Sequence, residues 1–104
     1  MDSPQDKKTV YIDPDLEDLI PGFLENRQSD IEEINQALQQ GNYESVQVLG
    51  HGMKGAGSGY GFDEISEIGA KLEDAAKNQD GSTIRILAEE LKSYLEQVEI
   101  KYEE

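Results

Sequence analysis

Four segments of this chain carry apolar residues at helical spacing, and the turns between them are only a few residues long. Within each segment, apolar residues recur at spacings of three or four residues, which places them on one face of a helix. A chain of 104 residues has room for one domain with one core. Short connections make consecutive helices antiparallel neighbours. The pattern therefore predicts an all-α fold, an antiparallel up-and-down four-helix bundle.

The region before the first long helix predicts a short extra N-terminal helix. Asp13 is an N-cap residue, and Pro14 suits the first helical position. Pro21 then ends or restarts this helix. Residues 1–10 are polar and are expected to form a flexible tail, so the bundle domain spans residues 11–104. No segment of the chain is expected to form a β-strand.

The charge and composition exclude several classes of function. The net charge is −14, which argues against binding nucleic acid or anionic membrane surfaces, because both need basic side chains. The chain has no cysteine and only one histidine, so neither a disulfide nor a metal site is expected. Most of the acidic residues are expected to form a solvated surface.

Location and assembly state are also expectations at this point. No apolar run is long enough to span a membrane, and the N-terminus lacks the apolar stretch of a signal peptide. We therefore expect a cytoplasmic protein. A monomer is the expected assembly state. The initial methionine and the complete-looking bundle favour a free-standing protein over a piece of a larger kinase.

The stretch from Gly50 to Gly61 contains six glycines and the only histidine. Its first part fits the Gly-x-Gly-x-x-Gly pattern of dinucleotide-binding loops. Such a loop needs a strand before it, a helix after it and a second parallel strand, and the sequence offers no second strand. A P-loop is also excluded, since no Gly-Lys-Ser/Thr occurs. We therefore interpret the stretch as a helix.

Helical periodicity divides this stretch into two faces. One arc is predicted to face the core and holds Val46, Leu49, Gly50, Met53, Gly57 and Tyr60. His51 lies on the opposite side and shares its face with Lys54, Gly55 and Ser58. Glycines within a helix cost about 0.5–1 kcal/mol each relative to alanine. Gly50 and Gly57 would admit a neighbouring helix, whereas Gly55 would leave the imidazole open to a large partner.

The stretch "HGMKGAGSGYGFDEISEIGAKLEDAAKNQD" resembles the signature of histidine-containing phosphotransfer domains. The matching features are a histidine followed by Lys-Gly and small residues, a glycine before the next helix, and an apolar-Glu pair about twenty residues later. In this chain they are His51, Lys54, Gly55, Ala56, Gly57, Gly61 and Leu72-Glu73. The upstream helices also resemble the family, so the resemblance covers nearly the whole chain beyond the tail. Gly50 and Gly52 depart from it, because bulkier residues commonly flank the histidine.

The resemblance implies a phosphocarrier rather than an enzyme with turnover of its own. His51 would accept a phosphoryl group from the aspartate of receiver domains in response regulators or hybrid histidine kinases. Nε2 is the expected site because it is the ring nitrogen that projects furthest. Lys54 would pair with the phosphoryl oxygens, and Glu73 would orient the ring. The expected partner-docking residues are Val48, Gly52, Gly55 and Ser58. No cofactor is expected, because the receiver would bring Mg²⁺.

Two alternatives remain open on the sequence. The chain could be an acidic helical-bundle interaction module that docks partners without phosphotransfer, with His51 an ordinary surface histidine and Val48 an ordinary exposed valine. It could also be a family member that docks receivers without accepting phosphate, although the intact His-x-x-Lys-Gly argues against this.

Overall fold

The computed structural model describes residues 8–102. In chain order, the elements are β1 (Lys8–Ile12), a 3₁₀ helix (Pro14–Leu19), α1 (Ile20–Gln39), α2 (Tyr43–Tyr60), α3 (Asp63–Lys77), α4 (Gly81–Gln97) and β2 (Val98–Tyr102).

The four long helices form the predicted bundle. Each helix packs against the next along the chain, and α1 closes the ring by packing against α4. The antiparallel course of α2 and α3 is visible where their backbones come close. Gly50 lies beside Leu72, near the end of α3, whereas Gly57 lies beside Ser66, near its start. The core consists of isoleucine, leucine, alanine and aromatic side chains from all four helices, with Met53, Val46 and Ile12.

The helix boundaries follow from local signals in the sequence. The side chain of Asn42 caps α2 by accepting a hydrogen bond from the Ser45 backbone nitrogen at 3.1 Å. Asp80 caps α4 by accepting one from the Thr83 backbone nitrogen at 3.2 Å. Gly61 follows α2 with a φ of 92°, a left-handed conformation that glycine adopts without strain.

The predicted N-terminal helix is present as the 3₁₀ helix. Asp13 caps it by accepting a hydrogen bond from the Asp15 backbone nitrogen at 2.9 Å, and Pro14 occupies the first helical position. Pro21 lies in the first turn of α1, where a proline is tolerated because that nitrogen needs no helical acceptor. The helix therefore restarts at Ile20, as the position of Pro21 predicted.

The two strands correct the prediction that no segment is extended. β1 and β2 pair in parallel, with Lys8 opposite Val98 and Ile12 opposite Tyr102. The predicted tail of residues 1–10 is therefore wrong for Lys8–Val10, whereas residues 1–7 lie outside the described part of the chain. Both strands alternate in burial, as β-branched and aromatic residues on a half-covered sheet do. The sequence signal at Val98 is ambiguous, because this residue also lies at helical spacing from Leu91 and Leu95 of α4.

Candidate functional site

His51 lies near the middle of α2, on the face turned away from the core. The stretch around it is α-helical from Tyr43 to Tyr60, which excludes the phosphate-loop interpretation. The His51 side chain is 70% exposed, so its ring is open to a macromolecular partner.

Glu73, on the neighbouring helix α3, holds one nitrogen of this ring. The His51 Nδ1 atom lies 3.1 Å from the Glu73 Oε2 atom. An ionised carboxylate only accepts hydrogen bonds, so Nδ1 is the donor and carries the hydrogen. In the neutral imidazole, the lone pair is then on Nε2, at the side of the ring away from Glu73. The contact therefore selects the tautomer whose nucleophilic nitrogen faces outward.

The same carboxylate also binds Lys54. The Lys54 Nζ atom lies 3.2 Å from the Glu73 Oε1 atom, so the two carboxylate oxygens are divided between the lysine and the histidine. The Glu73 side chain is only 13% exposed, whereas that of Lys54 is 46% exposed. The Lys54 side chain is therefore partly open to solvent, although its ammonium group is bound to the same carboxylate as the His51 ring.

The contacts of Glu73 keep it ionised. The hydrogen bond from Lys54 is the largest cause that lowers the pKa of the Glu73 carboxyl below its usual value of 4.5. Burial acts in the opposite direction, and the hydrogen bond from His51 lowers the pKa further. Near neutral pH, Glu73 is therefore an anion that can hold Nδ1–H and stabilise positive charge on the ring.

Close packing of α2 against α3 brings the carboxylate under the histidine. A methyl group at Gly50 would lie 2.7 Å from the backbone nitrogen of Glu73, and one at Gly57 would lie 2.5 Å from that of Ser66. A methyl group at Gly69 of α3 would lie 2.6 Å from the Lys54 backbone nitrogen. These distances are too short for any side chain, so these three glycines let the two backbones touch.

The other glycines of α2 have no such role inside the bundle. A methyl group at Gly52, Gly55 or Gly59 would meet nothing within 4 Å. Val48 is 66% exposed, and Ser58 is exposed with its hydroxyl 3.4 Å from the Gly55 carbonyl oxygen of its own helix. The residues predicted to dock a partner, Val48, Gly52, Gly55 and Ser58, are thus all exposed on α2.

Two residues of α3 support the site but are not among the predicted site residues. Gly69 is the counterpart of Gly50, and Ser66 donates a hydrogen bond from Oγ to the Lys54 carbonyl oxygen at 2.6 Å. The signal for Gly69 was present, because it is a glycine on the apolar face of α3 between Ile68 and Leu72. Ser66 gave no signal, since a serine in the first turns of a helix is ordinary.

The described residues 8–102 contain no cluster of histidine, aspartate and glutamate that could hold a metal ion. Within the same range, no helix is both long enough and apolar enough to cross a membrane.

Comparison with known proteins identifies the family. The model of the Hpt domain matches residues 18–100, which covers α1 to α4 and so includes His51, Lys54 and Glu73. Neither the curated proteins nor the solved structures gave a significant match. Hpt domains act in signal transduction by histidine phosphotransfer within phosphorelays. The chain therefore belongs to the Hpt domain family.

Proposed function

We propose that this protein is a phosphocarrier in which the Nε2 atom of His51 accepts a phosphoryl group from the aspartate of one receiver domain and donates it to another. The observation that carries the proposal is an exposed imidazole whose Nδ1–H is held by Glu73. This hydrogen bond orients the ring and leaves Nε2 as the nucleophile.

The transfer step needs few groups from this chain. The Nε2 lone pair forms the bond to phosphorus while the bond from phosphorus to the aspartate oxygen breaks, and the aspartate leaves as a carboxylate. Nδ1 keeps its hydrogen, so the phosphorylated ring is positively charged, and the Glu73 carboxylate stabilises that charge at 3.1 Å. Transfer to a second receiver breaks the N–P bond and restores the neutral imidazole.

Lys54 supplies positive charge for the phosphoryl oxygens. It follows His51 by about one helical turn and is already held on the same carboxylate as the ring. Phosphoryl transfer proceeds through a loose, negatively charged transition state, so correct placement and nearby cations matter most. We propose that Lys54 turns from Glu73 towards the phosphoryl group as it arrives.

The exposed face of α2 receives the partner. Gly55 lies one turn beyond His51, and its missing side chain leaves room for a receiver domain to approach the ring. Val48 offers an apolar contact about one turn before His51, and Gly52 and Ser58 extend the same exposed face. The receiver, in response regulators or hybrid histidine kinases, would supply the Mg²⁺ and the acidic residues that bind it.

A carrier must also preserve the phosphoryl group. Glu73 is the carboxylate that contacts the ring, and it binds Nδ1, on the side of the ring away from Nε2. It is therefore poorly placed to act as a base towards water at Nε2. We accordingly propose a cytoplasmic phosphorelay intermediate without enzymatic turnover of its own.

Transfer of label from a phosphorylated receiver tests the proposal. The protein is mixed with a ³²P-labelled receiver and Mg²⁺, and we expect an acid-labile, alkali-stable label on this chain. His51→Gln should abolish that label while circular dichroism shows an intact bundle. Label that persists on His51→Gln would refute the assignment, and receiver binding without label on the wild type would favour a docking module instead.

A further inference from the structure

The parallel strand pair is not part of the four-helix bundle that this chain shares with the Hpt domain family. The family match begins at residue 18, after β1, and ends at residue 100, within β2. The sheet consists of β1 and β2 alone among the described residues. Each strand therefore pairs on one side only, and its other edge has backbone groups without a strand partner. Such an edge is a template for pairing with another chain.

The charges of β2 are self-complementary. If two copies of β2 pair in an antiparallel arrangement centred on Ile100, Glu99 of each copy lies opposite Lys101 of the partner subunit. Both side chains are exposed on the outer face of the sheet, so the two-fold arrangement makes two opposite-charge cross-strand pairs. Charged residues usually protect an edge strand from pairing, but opposite charges that meet across the two strands favour it.

The apolar side chains of β2 also leave a surface to be covered. Val98, Ile100 and Tyr102 alternate with the charged residues and are only half-buried, whereas Ile12 of β1 is 1% exposed. Pairing about Ile100 would place this residue against Ile100 of the partner subunit and Val98 against Tyr102 of the partner subunit. The half-buried apolar side chains of the two β2 strands would thus form one continuous apolar surface across the dimer.

The edge of β1 is not equivalent. Antiparallel self-pairing centred on Val10 would place Lys8 beside Ile12 of the partner subunit, with no opposite charge. The Lys8 Nζ atom is already engaged with the Glu64 Oε2 atom at 2.9 Å. Of the two edges, β2 is therefore the one that fits a second copy of this chain.

We propose that this protein forms a weak two-fold dimer through antiparallel pairing of β2 with β2 of a second copy. This departs from the monomer expected from the sequence. Two short strands bury less than the roughly 1,000 Å² typical of stable interfaces, so the association is concentration-dependent. The strands lie at the end of the bundle where Ile12 lies beside Gly61, about 15 Å from His51 along α2 at 1.5 Å per residue. Each copy therefore keeps its histidine accessible.

Sedimentation equilibrium at physiological ionic strength tests the dimer. We expect the wild type to change from monomer to dimer as its concentration rises towards about 1 mM, in the weak range of affinity. Lys101→Glu and Glu99→Lys should each weaken the association at least tenfold, because like charges then meet twice across the strands. Lys92→Glu on the exposed face of α4 makes the same change of charge away from the edge and should leave the association unchanged.

Mixing the two edge variants provides the decisive comparison. Glu99→Lys and Lys101→Glu are complementary to each other, so their mixture should form a heterodimer with about the affinity of the wild type. Both variants keep a large negative net charge, so overall attraction cannot bring them together. A wild type that stays monomeric throughout, a dimer insensitive to Lys101→Glu, or a mixture that does not associate would overturn the proposal. The result is independent of phosphotransfer, since His51→Gln should dimerise normally.

Discussion

The two faces of α2 use glycine for opposite purposes. Towards α3, Gly50 and Gly57 are needed by the fold, because a methyl group on either would lie 2.5–2.7 Å from backbone atoms of α3. On the exposed face, a methyl group at Gly52, Gly55 or Gly59 would meet nothing within 4 Å, so the bundle gains nothing from these glycines. Glycine costs helix stability on both faces. On the packed face, close packing of α2 against α3 offsets that cost. On the exposed face, we attribute the presence of glycine to the space that a partner needs to approach His51.

The largest expected effect is on the packed face. Gly57→Ala would force a methyl group against the Ser66 backbone nitrogen at 2.5 Å, and backbone cannot move aside as a flexible side chain can. We expect the free energy of unfolding to fall by about 3 kcal/mol, in the upper range for overpacked sites. Urea denaturation monitored by circular dichroism measures it. A stability equal to that of the wild type would mean that α2 and α3 are further apart than described.

The next effect is on transfer rather than on stability. Gly55→Leu places a large side chain one turn from His51, in space that is open in the bundle. We expect the rate of phosphotransfer from a receiver to fall at least tenfold, which corresponds to about 1.4 kcal/mol in the barrier. The free energy of unfolding should stay the same or rise. Wild-type transfer kinetics in this variant would remove the proposed clearance role of Gly55.

Gly59→Ala provides the matched control on the exposed face. Replacing an unobstructed glycine by alanine within a helix should raise the free energy of unfolding by about 0.5–1 kcal/mol. Gly59 follows His51 by about two turns, so transfer should be affected less than in Gly55→Leu. Chemical denaturation and transfer kinetics on the same preparation give both values. A loss of stability would show that this glycine has a structural role after all.

The smallest expected effect is the acid dependence that comes from Glu73. Its pKa is lowered in the folded state, mainly by Lys54, so the folded protein binds fewer protons at this carboxyl than the unfolded chain does. The contribution to stability is therefore complete well above pH 4.5 and is lost as the pH falls through the folded-state pKa. Urea denaturation between pH 6 and pH 2 should show a shallower acid dependence for Glu73→Gln than for Glu67→Gln, a control on the exposed face of α3. Equal profiles for the two variants would contradict the charged contacts of Glu73.

The bundle and the two faces of α2 could be predicted because helical periodicity is a local signal. The spacing of apolar residues placed Gly50 and Gly57 on the core arc and His51 opposite it. Glu73 came from the family resemblance alone, since no spacing rule says which residue of the next helix meets the histidine. Its contact depends on how closely two backbones approach, and Gly69 contributes to that approach from another segment.

The strands could not be predicted because their pairing joins residues far apart in the sequence. Lys8 and Thr9 lie in a polar segment of the sequence, and Val98 lies at helical spacing from Leu95 of α4. The alternation of Val98, Ile100 and Tyr102 is compatible with a strand, but a five-residue strand is stable only when it has a partner. That partner is β1, some ninety positions away along the register.

The most direct test of the central claim is to identify the ring nitrogen of His51 that carries the phosphoryl group. The protein is labelled with ¹⁵N in its histidine, phosphorylated by a receiver, and studied by NMR for coupling between phosphorus and the ring nitrogens. Because Glu73 holds Nδ1–H, we expect the phosphorus to couple directly to Nε2 of His51, with Nδ1 still protonated. Phosphorus bound to Nδ1, or no phosphohistidine signal from a protein that binds the phosphorylated receiver, would contradict the claim.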